Sequence, residues 1–182
     1  MKKLLQNDAL THLEYCQQHK KEDTFFGVWE ETIVHYGRDS QFDRELAQQK
    51  GIRCVNLERA GDTFVTQKGD IAYAHLTNNS DKFNERLGRF FAQKLTALGY
   101  NVNFDGNDWL IDGKKFMGTM RIELGAVFQF YGGHISLSTD NELIKQICKK
   151  PMMKEPVGLG KYGITTQQVE DWLHEFYFYW KK

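Results

Sequence analysis

Between residues 81 and 98, Phe83, Leu87, Phe90, Phe91, Leu95 and Leu98 fall at i, i+4, i+7, i+8, i+12 and i+15. That spacing predicts a helix with one broad apolar stripe, ended by Gly99. Such a stripe has to be covered by another layer of structure. The residues after it supply one: "YNVNF", the turn "DGND", "WLI", the turn "DG" and "KKFMGTMRIEL" read as a run of β-hairpins. Asp112-Gly113 is a favoured two-residue hairpin turn. "AVFQF" and "HISLS" continue the β pattern.

The remaining elements flank this centre. Asn7 is a good helix cap and opens a predicted helix over 7–21. "TFFGVWEETIVHYG" predicts two short strands around Glu30-Glu31. "DSQFDRELAQQKG" predicts a helix capped by Ser40 with Asp43 three residues on, stopped by Gly51. "IRCVNLE" and "DIAYAHL" predict strands, and Asp140 to Cys148 a short helix. Thr165 with Gln168 makes a capping box for a last helix carrying Val169, Trp172, Leu173, Phe176, Tyr177 and Trp180 on one face. No linker or repeat interrupts the chain. The expectation is one α+β domain over 1–182, a largely antiparallel or mixed β-sheet with helices packed on it, laid over one face.

Lys+Arg and Asp+Glu both number 24, so the net charge is zero and no electrostatic footprint for nucleic acid is expected. No apolar run approaches the roughly 20 residues of a membrane span, and "MKKLLQNDAL" lacks the apolar core of a signal peptide. Cys16, Cys54 and Cys148 are isolated and odd in number, which argues against a disulfide scaffold or a clustered zinc site and fits a reducing cytoplasm. The histidines are scattered without metal-ligand spacing, so no metal is expected.

Three segments carry candidate chemistry. Lys114 and Lys115 are adjacent, so in a strand they point to opposite faces. One can be solvated while the other points inward, able to hold a carbonyl oxygen or phosphate. Gly118, three residues on, would let a ligand or another backbone approach. In "ERAGDTFVTQKGD", Ala60-Gly61 allows a sharp turn with backbone N–H groups on offer, and Arg59 adds a fork of donors. An ordinary loop with an Arg–Asp pair is the competing reading. In "FYGGHISLSTD", Gly132-Gly133 suggests a bulge or a close approach, and His134 is either a base or a hydrogen-bonded structural histidine.

Together these segments resemble the catalytic domain of the biotin/lipoate protein ligase superfamily, within it most of all the lipoyl(octanoyl) transferases. "VHYGR" supplies the strand ending Gly37-Arg38, and "RAGDTFVTQKGD" the loop from Arg59 to Asp70. "DGKKFMGTM" supplies Lys115, and "YGGHISLSTD" places Gly132 on the glycine of the His-Gly motif and Asp140 on its aspartate. "NDWLIDGKKFMG" leans toward the ligases, which carry an Asn-Asp hairpin before Lys, two residues and Gly. The departures are Tyr131 and Thr66 for two family histidines, Gly61-Asp62-Thr63 for the ligases' triple glycine, and Pro151-Met152 for the transferases' Pro-Cys.

The resemblance implies transfer of an octanoyl or lipoyl group from an acyl carrier protein thioester to a lysine of a lipoyl-domain-type acceptor, without a cofactor. An ATP-dependent ligase and a non-catalytic acyl- or protein-binding member are the alternatives. Lys115 and Cys148 are the implied catalytic pair. Arg59, Ala60, Gly61, Asp62, Thr63, Phe64, Val65 and Thr66 would wall the site of a medium-chain acyl group. Gly118, Thr119, Met120, Gly132, Gly133 and His134 would bind the reacting end.

Overall fold

Asp112 and Gly113 both take positive φ, +48° and +77°. This is the two-residue geometry that matches the twist of a hairpin, and it pairs Ile111 with Lys114. Gly106, at φ +68°, closes the neighbouring hairpin as the first residue of a two-residue turn in which Asn107 does not take positive φ, with Asp105 opposite Asp108. In the computed structural model, which describes residues 1–38, 40–56, 63–79, 81–149 and 154–181, these hairpins form one end of the larger of two sheets.

The order of elements is β1 (Lys2–Leu5), α1 (Gln6–His19), β2 (Asp23–Val28), β3 (Ile33–Tyr36), α2 (Arg44–Gln49), β4 (Arg53–Asn56), β5 (Phe64–Thr66) and β6 (Ile71–Thr77). Then come α3 (Phe83–Ala97), β7 (Val102–Asp105), β8 (Asp108–Ile111), β9 (Lys114–Glu123), β10 (Gln129–Ile135), α4 (Asn141–Ile147), a 3-10 turn (Leu159–Tyr162) and α5 (Thr166–Trp180). The large sheet runs β1-β2-β6-β10-β9-β8-β7, antiparallel except for the β1–β2 pair. The small sheet runs β4-β3-β5. The α+β fold with a mixed sheet is as the sequence leads one to expect.

Helices cover both faces of the large sheet, not one. On one face, α3 buries Phe83, Leu87, Phe91 and Leu95, and α5 buries Val169, Leu173 and Phe176, in a single cluster with Phe26, Ile71, Tyr131 and Ile135 of the strands. Leu98 of the predicted stripe lies past the end of α3 and is exposed. On the other face, α1 sets Ala9, Leu13 and Cys16 against Phe25, Ala74, Leu76 and Phe130. The alternation within β2 divides the two clusters, since Phe25 and Phe26 point to opposite sides.

Other local corrections have local causes. α1 begins one residue before Asn7 and has no side-chain cap. Its first residue, Gln6, is buried instead and accepts a hydrogen bond from the Glu30 amide at 2.7 Å. α2 is capped by Asp43, whose carboxylate accepts from the Leu46 amide, and not by Ser40. The two strands around Glu30-Glu31 exist but belong to different sheets. The glycines of β10 form no bulge. Gly132 and Gly133 keep regular register with β6 and β9, and "AVFQF" and "HISLS" contribute to one continuous strand.

Candidate active site

The face of the large sheet that α1 covers is open beyond that helix, and the small sheet stands across from it. Between them lies a cleft of about 1190 Å³. Its apolar wall includes Leu10, Leu13, Phe25, Met120, Ile122 and Phe130, and its polar side includes Lys115, Asp108, Lys154, His134 and Asp70.

β9 brings Lys115 to this cleft. Its backbone is held on both sides, by pairing with Leu110 of β8 and by the segment 155–157, where Lys115 N–H donates to the Glu155 carbonyl and Val157 N–H to the Lys115 carbonyl, each at 2.8 Å. The side chain reaches Asp108, with Nζ 2.8 Å from Oδ1. The other oxygen of Asp108 lies 3.0 Å from Lys154 Nζ, and Lys154 also meets Asp105 at 3.1 Å. Lys114 turns away into a separate hollow and pairs with Glu155 at 2.8 Å. Gly118 keeps space beside the pair. A Cβ there would stand 3.2 Å from Lys115 Cε and 3.3 Å from its Nζ, a contact the chain would have to yield to.

A second polar group faces the cleft from β10. Asp70, 1% exposed, has its carboxylate filled by four donors: the amides of Gln67, Leu137 and Ser138, and His134 Nε2 at 3.0 Å. A buried carboxylate so satisfied holds the imidazole in one orientation. Phe64 lies between His134 and His35. It stacks on His35 at 4.6 Å and 12°, with His134 at 6.4 Å. Burial, then the charges of His134 and Arg53, push the His35 pKa down to about 3, so His35 is neutral and pairs with the Thr66 hydroxyl at 2.9 Å.

Of the residues singled out from the sequence, Lys115, Cys148, Thr63, Phe64, Val65, Thr66, Gly118, Thr119, Met120, Gly133 and His134 all line this one cleft. Gly132 does not. The Phe130 ring occupies the space its Cβ would fill. The close approach the glycine pair suggested is therefore made from within the chain: by the Phe130 ring at Gly132, and by the Tyr73 hydroxyl and the Gly118 carbonyl at Gly133. Arg59, Ala60, Gly61 and Asp62, and the Pro151-Met152 pair, lie outside the described residues. Cys148 caps the C-terminus of α4, its amide bonded to the Ile144 carbonyl at 2.8 Å. It also packs against the apolar cluster of Val34, Ala47, Val65, Ile144 and Ile147.

Sequence reading had not singled out Asp108, Lys154, Asp70 or His35 as site residues. Asp108 was within reach, since it stands in the Asn107-Asp108 hairpin. The others are brought in by chain segments far apart in sequence, and no local spacing signals them.

No curated protein matches the chain by sequence. Solved structures do match in fold. P. falciparum LipL1, crystallised in complex with lipoate, superposes with a TM-score of 0.78 at 11% identity over 97% of this chain. This chain spans 61% of the length of that protein. The bipartite lipoate protein ligase of Thermoplasma acidophilum gives 0.76 at 15% identity, over 97% of this chain and 81% of that one. A lipoate-protein ligase A bound with ATP gives 0.77 at 15%, over 96% and 81%. The family model of the lipoyl protein ligase A/B catalytic domain matches residues 5–174, nearly the whole sequence, and the chain belongs to that family.

Proposed function

We propose that this protein attaches a medium-chain acyl group of the octanoyl or lipoyl kind to a lysine of an acceptor domain, with Lys115 holding the acyl carbonyl. The observation that carries this reading is the Lys115 ammonium at the polar side of a cleft with a long apolar wall. An acyl chain fits such a wall, and an ammonium 2.8 Å from the Asp108 carboxylate can turn to a carbonyl oxygen on which charge develops.

In the thioester route, the Cys148 thiolate attacks the carbonyl of an acyl carrier protein thioester, and the carrier thiolate leaves. The acceptor amine then attacks the acyl-enzyme, forming the amide and freeing the Cys148 thiolate. Lys115 stabilises the oxyanion in both steps, and splitting the transfer in two lowers each barrier. His134, which lines the cleft and is held by Asp70 through Nε2, takes the proton the amine gives up in this reading. This route does not need the triple-glycine loop that the sequence replaces with Gly61-Asp62-Thr63.

A second reading is activation of a free acid by ATP, favoured by the shared Asp108 between Lys115 and Lys154. Two ammonium groups bridged by one carboxylate suit an acyl phosphate as well as a carbonyl. One experiment separates the two. The protein is incubated with octanoyl-carrier protein, or with octanoate or lipoate plus ATP and magnesium, and both adduct mass and pyrophosphate are measured. An acyl adduct without ATP, lost in Cys148→Ser and Lys115→Ala, supports the thioester route. Pyrophosphate release that survives Cys148→Ser supports the ligase. Neither product, with carrier-protein binding retained, overturns both and leaves a binding member of the family.

A further inference from the structure

A second group of chemistry-bearing side chains stands apart from Lys115, at the far end of α1. His12 and Cys16 are four residues apart and share one face of the helix. After α1, Lys20 adopts a left-handed conformation at φ +49°, and the Lys21 amide donates to the Cys16 carbonyl at 2.9 Å. The chain therefore doubles straight back, and Asp23, the first residue of β2, meets that face.

We propose that His12, Cys16 and Asp23 form a binding site for a thiophilic divalent cation of the zinc class, with water completing a tetrahedral shell. The three ligand atoms lie within 4.8 Å of one another. His12 Nε2 is 3.5 Å from Cys16 Sγ and 2.7 Å from Asp23 Oδ2. Zinc bonds of about 2.3 Å to sulfur and about 2.0 Å to nitrogen, at the tetrahedral angle, put those two atoms about 3.5 Å apart. The nitrogen–oxygen pair has to open by roughly 0.6 Å, which Asp23 can do on the exposed side.

A single ring nitrogen faces both other ligands. A proton there can serve the carboxylate or leave a lone pair for the thiol, but not both. A cation satisfies all three at once. Outer contacts hold the ligands: Asp23 Oδ1 accepts from the Thr24 amide at 2.7 Å, and the Phe25 ring packs edge-on against the His12 imidazole at 4.9 Å. Cys16 is fully buried, while the His12 and Asp23 side chains are 20% and 29% exposed, which gives an ion a way in. On binding, one M²⁺ replaces the thiol proton, which leaves to solvent. The ion would tie α1, whose Leu13 and Gln17 line the cleft, to the first strand beneath it.

The test is titration of the chelator-stripped full chain with Co²⁺, read by the thiolate-to-cobalt charge-transfer band, followed by displacement with Zn²⁺. One ion per chain is expected. Cys16→Ser should abolish the band, and His12→Gln and Asp23→Asn, at partly exposed positions, should weaken binding about tenfold or more. A Cys54→Ser/Cys148→Ser double variant should bind as the parent does. No charge-transfer band in the parent, a band that survives Cys16→Ser, or unchanged Zn²⁺ affinity in both His12→Gln and Asp23→Asn overturns the proposal. Should Cys16→Ser fail to fold, the two partly exposed variants, checked by circular dichroism, decide it.

Discussion

The two faces of the large sheet are built from the same strands and do different work. One is closed by α3 and α5, and its core is aromatic: Phe83 alone has rings of Tyr73, His75, Phe176 and Trp180 around it. The opposite face is covered by α1 at one end only, and the uncovered part is the cleft. Period-two alternation lets β6 and β10 serve both, with Tyr131 and Ile135 toward the helices and Phe130 and His134 toward the cleft. In β9 a bulge at Phe116, opposite the Trp109–Leu110 step, interrupts the alternation, so Met117 faces the helices while Lys115 and Met120 face the cleft. The closed face is expected to set stability, and the open face to set activity.

The comparison breaks if substitutions on the two faces have the same effect. Phe83→Ala empties the centre of the closed face and should cost about 3–5 kcal/mol in chemical denaturation. Any folded fraction should keep its activity per molecule. Lys115→Ala on the open face should lower acyl transfer about 10²–10³-fold and shift the denaturation midpoint little, because Lys115 is partly exposed. If it unfolds the protein instead, Lys115 is a structural lysine and the division fails.

Asp70→Asn tests whether the two roles meet at one residue. It places an amide before backbone N–H groups, so a loss of about 1–3 kcal/mol is expected, together with lower activity through a loosened His134. His35 provides a pH test. Its folded pKa of about 3 lies below the ordinary 6.5, so the unfolded chain binds more protons between those values. The stability this residue contributes is complete above pH 6.5 and falls by roughly 1 kcal/mol for each unit below it. His35→Gln should flatten that part of the stability–pH curve, and an unchanged slope would remove His35 as its source. The smallest effect is expected from Gly118→Ala, which crowds Lys115 Nζ. It should lower activity several-fold and change the midpoint by under about 1 kcal/mol.

Much of the closed face was readable along the chain. The stripe from Phe83 to Leu95, the Asp112-Gly113 turn and the Thr165–Gln168 capping box are local patterns, and each local rule held in the fold. The open face was readable only in part. Lys115 and the residues from Thr63 to Thr66 stood out in quotable motifs, while Asp70 and His35 stood within quoted stretches without being singled out as site residues. Asp70 meets His134 across 64 positions, and His35 meets Thr66 across 31.

The sequence by itself determined the elements, because hydrophobic period, turn residues and caps act over a few residues. It also determined the family, because ordered motifs survive in one dimension. Only the tertiary structure decided which side of the sheet stays open, and that Asp23 returns to His12 and Cys16. Those outcomes depend on strand pairing and on a left-handed turn at Lys20, where contacts distant in sequence outweigh local preference.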